Sequence, residues 1–178
     1  MKTAGLFTRD DIKLGITGGK KTHDLSDLPP ERLWALGLRG IKGMNPRAKH
    51  PEMPASGSPH PWLYVLGEAP GENEDIRGEP FVGKSGEFLR DQFAQGFEKR
   101  IRINNCVRTR PPANRTPTYV EVECFRPSVV ADIEASKPRA ILGTGQVPLN
   151  WVLGPKVAQI SVARGRRFPV QIGTHVCW

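Results

Sequence analysis

Trp62-Leu63-Tyr64-Val65-Leu66 is an unbroken apolar run, closed by Gly67 and followed at once by further turn residues. A run this short and this continuous is buried on both faces, as strands inside parallel sheets are. Residues 101–107 put Ile101, Ile103 and Asn105 on one side of a second strand, and Arg139-Ala140-Ile141-Leu142-Gly143 reads as a third. Between them, residues 85–93 predict a helix with Phe88, Leu89 and Phe93 inward and Ser85 as its cap. Residues 118–136 predict a long helix burying Val122, Val129, Val130 and Ile133, kinked or divided at Pro127. Another helix is expected over 146–153, and late strands over 168–172 and 174–178. This alternation predicts an α/β fold with helices on both faces of a parallel sheet, whose ligands sit at the carboxyl ends of the strands.

Upstream of Trp62 the texture is different. Asn45-Pro46, His50-Pro51 and Ser56-Gly57-Ser58-Pro59 are turn chemistry, and only 30–36, with Leu33, Trp34 and Leu36, looks helical. Residues 1–60 are therefore read as an extension wrapping a core domain of residues 61–178. Trp34, Trp62 and Trp151 lie in apolar contexts and are expected in the core. A chain of 178 residues supports one well-cored domain. No apolar run is long enough for a membrane helix, and residues 1–14 carry charges with no signal-peptide core. Cys106, Cys124 and Cys177, odd in number and widely spaced, exclude a disulfide scaffold. These features predict a cytoplasmic monomer with no membrane partner. With 26 Lys and Arg against 18 Asp and Glu, the net charge of +8 fits nucleic acid and plain solubility equally well.

Chemistry concentrates in two stretches. The first, Gly67-Glu68-Ala69-Pro70-Gly71-Glu72-Asn73-Glu74-Asp75, follows the first strand and leads to Gly78-Glu79-Pro80-Phe81-Val82-Gly83-Lys84-Ser85-Gly86. Gly67 and Gly71 let backbone approach a bound group, and Glu68 is fixed at a strand end. Three acidic residues in this loop would repel a pyrophosphate, and the spacing is not the dinucleotide fingerprint. Phe81 is either a core plug or a stacking platform. The second stretch carries Asn105 on the same rim, where its amide can meet an imide edge such as a pyrimidine. Around it stand Arg108, Arg110 and Arg115; Arg164, Arg166 and Arg167 form another cationic run. Two such runs bordering one carboxylate-and-amide rim suit a phosphate backbone. Of the histidines, His23, His50 and His60 have no metal-ligand spacing and are expected at the surface. Cys106 lacks a partnered base and reads as a small strand residue.

Together these motifs resemble the uracil-DNA glycosylase superfamily, in particular its family 4 branch. The resemblance rests on Gly67-Glu68-Ala69-Pro70-Gly71, Glu74-Asp75, Gly78-x-Pro80-Phe81-Val82-Gly83-x-Ser85-Gly86, and Asn105 with Arg110-Pro111-Pro112-x-Asn114-Arg115-x-Pro117. It runs on through Lys137-Pro138 and Arg164-Gly165-Arg166, over about residues 36 to 178. It implies a three-layer α/β/α fold with a short central parallel sheet, and excision of uracil from DNA by a monofunctional glycosylase of base excision repair. By that resemblance Phe81 stacks on a flipped uracil, Asn105 pairs with its polar edge, and Gly67, Ala69, Pro70 and Gly71 lie beside the sugar. Glu68 and Glu74 are the candidate catalytic carboxylates. Lys84, Ser85, Arg108, Arg110, Arg115, Arg164 and Arg166 are the candidate DNA contacts.

Two departures from the pattern bear on chemistry. The family's four-cysteine [4Fe–4S] cluster would use positions held here by Leu38, Ile41, Thr109 and Phe125, so no cluster and no metal is expected. The family's His-Pro-Ser or His-Pro-Ala loop, expected just after the last strand, finds no match before Trp178. His175 is followed by Val176-Cys177-Trp178, and is either a strand residue or a substitute for that loop. The alternative expectation is accordingly a weakened or inactive glycosylase-like DNA-binding module, or a truncated fragment.

Overall fold

A computed structural model describes residue 45, residues 47–154 and residues 159–178. Three parallel strands form its centre: β2 (Leu63–Gly67), β3 (Ile101–Asn105) and β4 (Ala140–Gly143). A two-residue strand, β1 (Ser56–Gly57), adds to the outer edge of β3 in antiparallel sense, giving the order β1-β3-β2-β4. The central strands are parallel as expected, and the short antiparallel β1 at the edge makes the sheet mixed. The antiparallel edge comes from the segment before the core, and two residues carry no periodicity that a sequence could display.

The continuous apolar run of β2 serves both faces. Tyr64 and Leu66 enter the larger core with Val122, Phe125, Val129 and Ile133 of helix α3 (Tyr119–Ser136) and Trp151 and Leu153 of α4 (Gln146–Leu153). Val65 packs on the other face with Ile101 and Ile103, covered by Phe81, Leu89, Phe93 and Phe97. Leu89 belongs to α2 (Lys84–Asp91), and Phe97 opens a 3₁₀ turn, Phe97–Arg100. Helices therefore lie on both faces of a short sheet, in the three-layer α/β/α arrangement. After a short helix, α5 (Ile160–Ala163), strands β5 (Val170–Ile172) and β6 (His175–Cys177) form a separate antiparallel hairpin packed on the α3 side. Trp178 then returns to the main sheet: its N–H donates to Arg139 O at 3.2 Å, and its carbonyl accepts from Ile141 N at 2.6 Å.

Several local expectations change. Residues 72–77, read as part of an acidic loop, form a helix, α1 (Glu72–Arg77). Glu72, Glu74 and Asp75 stand in its first turn, where negative charge meets the positive end of the helix dipole. Helix α3 runs through Pro127 without dividing. The missing hydrogen bond and ring clash cost about 3 kcal/mol in a helix interior. Four buried apolar side chains, Val122, Phe125, Val129 and Ile133, offset that cost, and Pro127 itself faces outward. Phe88 points to solvent at 68% exposure instead of joining Leu89, and Trp62 is exposed at 39%, while Trp151 is buried as expected. The helix expected over 30–36, with Trp34, lies outside the described residues, as do His23, Leu38 and Ile41.

The segment leading into β1 is a strap across the carboxyl ends of β2 and β3. The Asp75 carboxylate, only 3% exposed, accepts the main-chain N–H groups of Lys49 and His50 at 3.1 and 2.9 Å. The His50 ring faces Asp75 O at 2.5 Å, so this histidine is half-buried and engaged instead of free at the surface. Met53 is fully buried and exchanges hydrogen bonds with Arg108: Met53 N to Arg108 O at 2.8 Å, and Arg108 Nε to Met53 O at 2.7 Å. Thr109 donates to Pro51 O, and Asn45 Nδ2 to Arg110 O at 3.0 Å.

Candidate active site

Gly67, Phe81 and Asn105 meet at the carboxyl ends of β2 and β3. Gly67 and Asn105 are register partners in the parallel ladder, so both residues stand at the same height. A methyl group on Gly67 would overlap Asn105 Oδ1 and lie 2.5 and 2.6 Å from Phe81 Cε2 and Cζ. Only a residue without Cβ lets the amide and the ring approach one point. Phe81 reaches it with a φ of 58°, a left-handed conformation that an aromatic residue adopts at a cost of about 1–3 kcal/mol. Its main chain is pressed against Gly86, where a Cβ would overlap Phe81 O and sit 2.7 Å from Phe81 Cα. The glycines at 67 and 86 thus hold one aromatic residue from its two ends. Asn105 is 3% exposed, and its own side-chain amide makes no hydrogen bond among the described residues.

The flanking loops are fastened to each other. Cys106 N donates to Gly67 O at 2.8 Å and Val107 N to Glu68 O at 3.1 Å, which extends the β2–β3 ladder past both strand ends. Ala69 packs on the larger core and Pro70 is buried. Glu74 sits between the two glycine-rich turns. One of its oxygens accepts Gly71 N at 3.1 Å and the other accepts Gly83 N at 2.8 Å. Glu68 is different: among the described residues nothing bonds its half-buried carboxylate. Glu68 contributes, after burial itself, to pushing the Cys106 thiol far up. Burial likewise raises Cys124, and carries Cys177 up to about 11. All three thiols are therefore protonated at neutral pH and unsuited to nucleophilic attack.

Behind Asn105, on the opposite face of β3, lies a polar chain that no motif announced. Asn104 accepts the Asn105 N–H on Oδ1 at 2.9 Å and donates from Nδ2 to the Tyr64 hydroxyl at 3.0 Å. Tyr64 donates to Asp132 of α3 at 2.6 Å. Arg102 grips the same carboxylate with Nη2 at 2.5 Å and Nε at 2.9 Å. Burial works against the Asp132 carboxylate, but the bonds from Arg102 and Tyr64 outweigh it and hold it below its ordinary range. Burial and the Asp132 charge push the Tyr64 phenol far up, so it remains a donor. The signal in the sequence was slight: Arg102 and Asn104 alternate with Ile101, Ile103 and Asn105 on a strand whose faces are both buried.

The cationic residues divide into two groups. Arg108 reaches Glu52 at 3.4 Å besides its bond to Met53 O, and Arg110 holds Asn114 at 2.7 Å and Glu72 at 3.4 Å. Arg115 forms a two-pronged pair with Glu121, at 2.5 and 2.8 Å. Lys84 and Ser85, in the first turn of α2, are exposed next to Phe81. Arg164 and Arg166 are also exposed, but they flank an apolar trough of about 380 Å³ along the outer edge of β4, lined by neither Phe81 nor Asn105.

The described residues do not fit a four-cysteine cluster. Thr109 is fully buried with its hydroxyl committed to Pro51 O, and Phe125 is 1% exposed within the larger core. Neither supplies a thiolate, and among the described residues no group of three potential ligands could hold a metal ion. His175 lies in β6, its Nε2 2.6 Å from Pro138 O.

The family model of the uracil DNA glycosylase superfamily matches residues 54–175, from β1 to β6. Curated relatives include the type-4 uracil-DNA glycosylases of Pyrobaculum aerophilum, 33% identical over 125 residues, and of Archaeoglobus fulgidus, 33% over 124. These alignments cover 67% of this chain and 64% and 62% of the relatives. The enzyme of the same name from Thermotoga maritima is 37% identical over 105 residues, covering 58% of this chain and 55% of its own. The chain thus spans between 55% and 64% of the length of these relatives. Its matched residues hold both glycine-rich turns, the aromatic residue within the second and the asparagine at the end of β3, and the chain accordingly belongs to the uracil-DNA glycosylase superfamily.

Proposed function

We propose that the chain hydrolyses the N-glycosidic bond of uracil in DNA, as a monofunctional glycosylase that works without an iron–sulfur cluster. The observation that carries this reading is the convergence of the Phe81 ring and the Asn105 amide on Gly67, with the Glu68 carboxylate one residue on; among the described residues neither the amide nor the carboxylate is bonded. A base taken out of the stack loses a few kcal/mol, part of which a fixed aromatic face returns. Strain at Phe81 serves that end, because a platform that cannot rotate away loses little freedom when the base arrives. As the bond breaks, negative charge grows on the base and positive charge on the sugar. Asn105 donates to the base, and Glu68 orients water and steadies the cationic sugar. Glu74 acts by joining the 67–71 and 78–86 turns, so that carboxylate and ring keep their spacing.

Lys84 and Ser85 beside the ring supply phosphate contacts, with Arg164 and Arg166 more distant ones. Arg108, Arg110 and Arg115 shape the rim through their internal partners. The thiols, protonated and at least half-buried, take no part. The protein acts on DNA as a monomer of the cytoplasm. No helix among the described residues is long and apolar enough to cross a membrane.

The test is single-turnover incubation of iron-free protein with a uracil-containing oligonucleotide, single- and double-stranded, followed by alkaline cleavage of abasic sites. Wild-type protein is expected to cut, and Glu68→Gln and Asn105→Ala to lose roughly 10²–10³-fold in rate, the scale of removing one transition-state donor. Salt-sensitive DNA binding with no cleavage at high protein would replace the enzyme with a binding module.

A further inference from the structure

We propose that Asn104 is a positioning residue for Asn105, tied through Tyr64 to the Arg102–Asp132 ion pair; the role assigned to it rests on the glycosylase reading above. Asn105 is the last residue of β3, and its N–H points away from β2, whose ladder uses Cys106 N instead. On that side β1 pairs only with Arg102 and Ile103, so no strand reaches Asn105. A buried N–H without a partner is costly, and here the side chain of the preceding residue takes it.

That bond alone would fix little, because an asparagine side chain in an open space can turn. Asn104 is 3% exposed, and its other end is held as well. Every donor in the chain points the same way: Asn105 N–H to Asn104, Asn104 Nδ2 to Tyr64, Tyr64 O–H to Asp132. The series ends on a carboxylate fixed by two guanidinium nitrogens. Donation to an ionised acceptor strengthens the preceding bonds in a shared chain. Tyr64 and Arg102 are themselves register partners on β2 and β3, so the polar chain crosses between the same two strands whose ends carry Gly67 and Asn105. Adjacent residues on a strand face opposite ways. Asn104 therefore anchors under the sheet while Asn105 stands beside Phe81 above it, and rotation of the Asn105 peptide would move its amide off the Gly67 contact.

A double-mutant cycle separates positioning from plain stability. Single-turnover uracil release is measured for wild type, Asn104→Leu, Asn105→Ala and the double variant, all at saturating protein. Asn104→Leu is expected to slow release roughly tenfold, the worth of one supporting hydrogen bond, and to slow the Asn105→Ala protein less than about twofold. Equal loss in both backgrounds would overturn the proposal. Tyr64→Phe, which keeps the ring and the Asn104–Asn105 bond, is expected to lose less than Asn104→Leu, and guards against a variant that fails to fold. Amide hydrogen exchange at Asn105 is followed in the same proteins without DNA, and should quicken in Asn104→Leu. Unchanged exchange at that amide would also overturn the proposal. If wild-type protein releases no uracil, the glycosylase reading fails, and the exchange measurement still decides whether Asn104 anchors Asn105.

Discussion

Gly86 lies in the first turn of α2, where replacing glycine by alanine ordinarily stabilises a helix by about 1 kcal/mol. Here the added methyl would overlap the Phe81 carbonyl, which is backbone and cannot swing aside. Overpacking of this sort costs about 1–3 kcal/mol, so the helix gain is outweighed. Gly86→Ala is expected to lower the urea midpoint and to slow uracil release together, because the strained Phe81 is what has to shift. An unchanged midpoint would mean that the loop yields and Phe81 is not held from behind. That Gly67 and Asn105 share one rim with the glycine-flanked Phe81 nearby was legible in the sequence, because strand ends and glycine-rich turns are local requirements. Glu74 was not legible in the same way. Its partners are main-chain N–H groups of Gly71 and Gly83, and a bond to backbone leaves no residue type behind as a mark.

At the level of elements, the strands were readable because two-sided burial demands an unbroken apolar run, and β2 has one. Helix α3 was readable from its buried valines and Ile133; its cap, in which the Thr118 hydroxyl accepts Glu121 N and Glu121 accepts Thr118 N in return, was shown by the structure. The short α1 was hidden, since acidic residues suit a loop and a helix N-terminus alike. Helix α3 also carries two carboxylates, Asp132 and Glu121, that the fold favours in their charged form. Burial works against Asp132 and Glu121, yet Arg102 and Tyr64 hold the first, and Arg115 and Thr118 the second, below the ordinary carboxylate range. A depressed folded-state value gives stability that is full above the ordinary range and is lost as pH falls through the folded value. Asp132→Asn should therefore be less stable than wild type by about 1–2 kcal/mol near neutral pH, discounted for partial exposure. As pH falls below the ordinary carboxylate range, the two urea midpoints should draw together. A gap that stays constant with pH would show that the Asp132 charge adds nothing.

Across the described residues, the cationic side chains differ in how they are engaged. Arg108, Arg110 and Arg115, which crowd after β3, spend their charge on Glu52, Glu72 and Glu121. These pairs join residues far apart in the chain or across a turn, and no local pattern reveals them. Arg164 and Arg166 are exposed and carry no ion pair among the described residues. Replacing both with alanine is expected to reduce the slope of log K against log salt for DNA binding by about 1–2, one counterion for each phosphate no longer neutralised. Arg115→Ala should leave that slope nearly unchanged and lower stability instead. Equal slopes for all the proteins would move the DNA path away from α5.

The strap ahead of β1 has a consequence in time. It is synthesised before β2, but it docks on Asp75 and on the 106–111 stretch behind β3, with Thr109 and Pro51 separated by 58 residues. A ribosome adding about 5–20 residues per second delivers that partner roughly 3–12 seconds after Pro51. During that interval Met53 has no pocket to enter, and β1 has no strand to join. The rim that carries Gly67 and Asn105 is thus completed by a piece of chain made early and placed late, like a clasp that can close only once the box it fastens has been built.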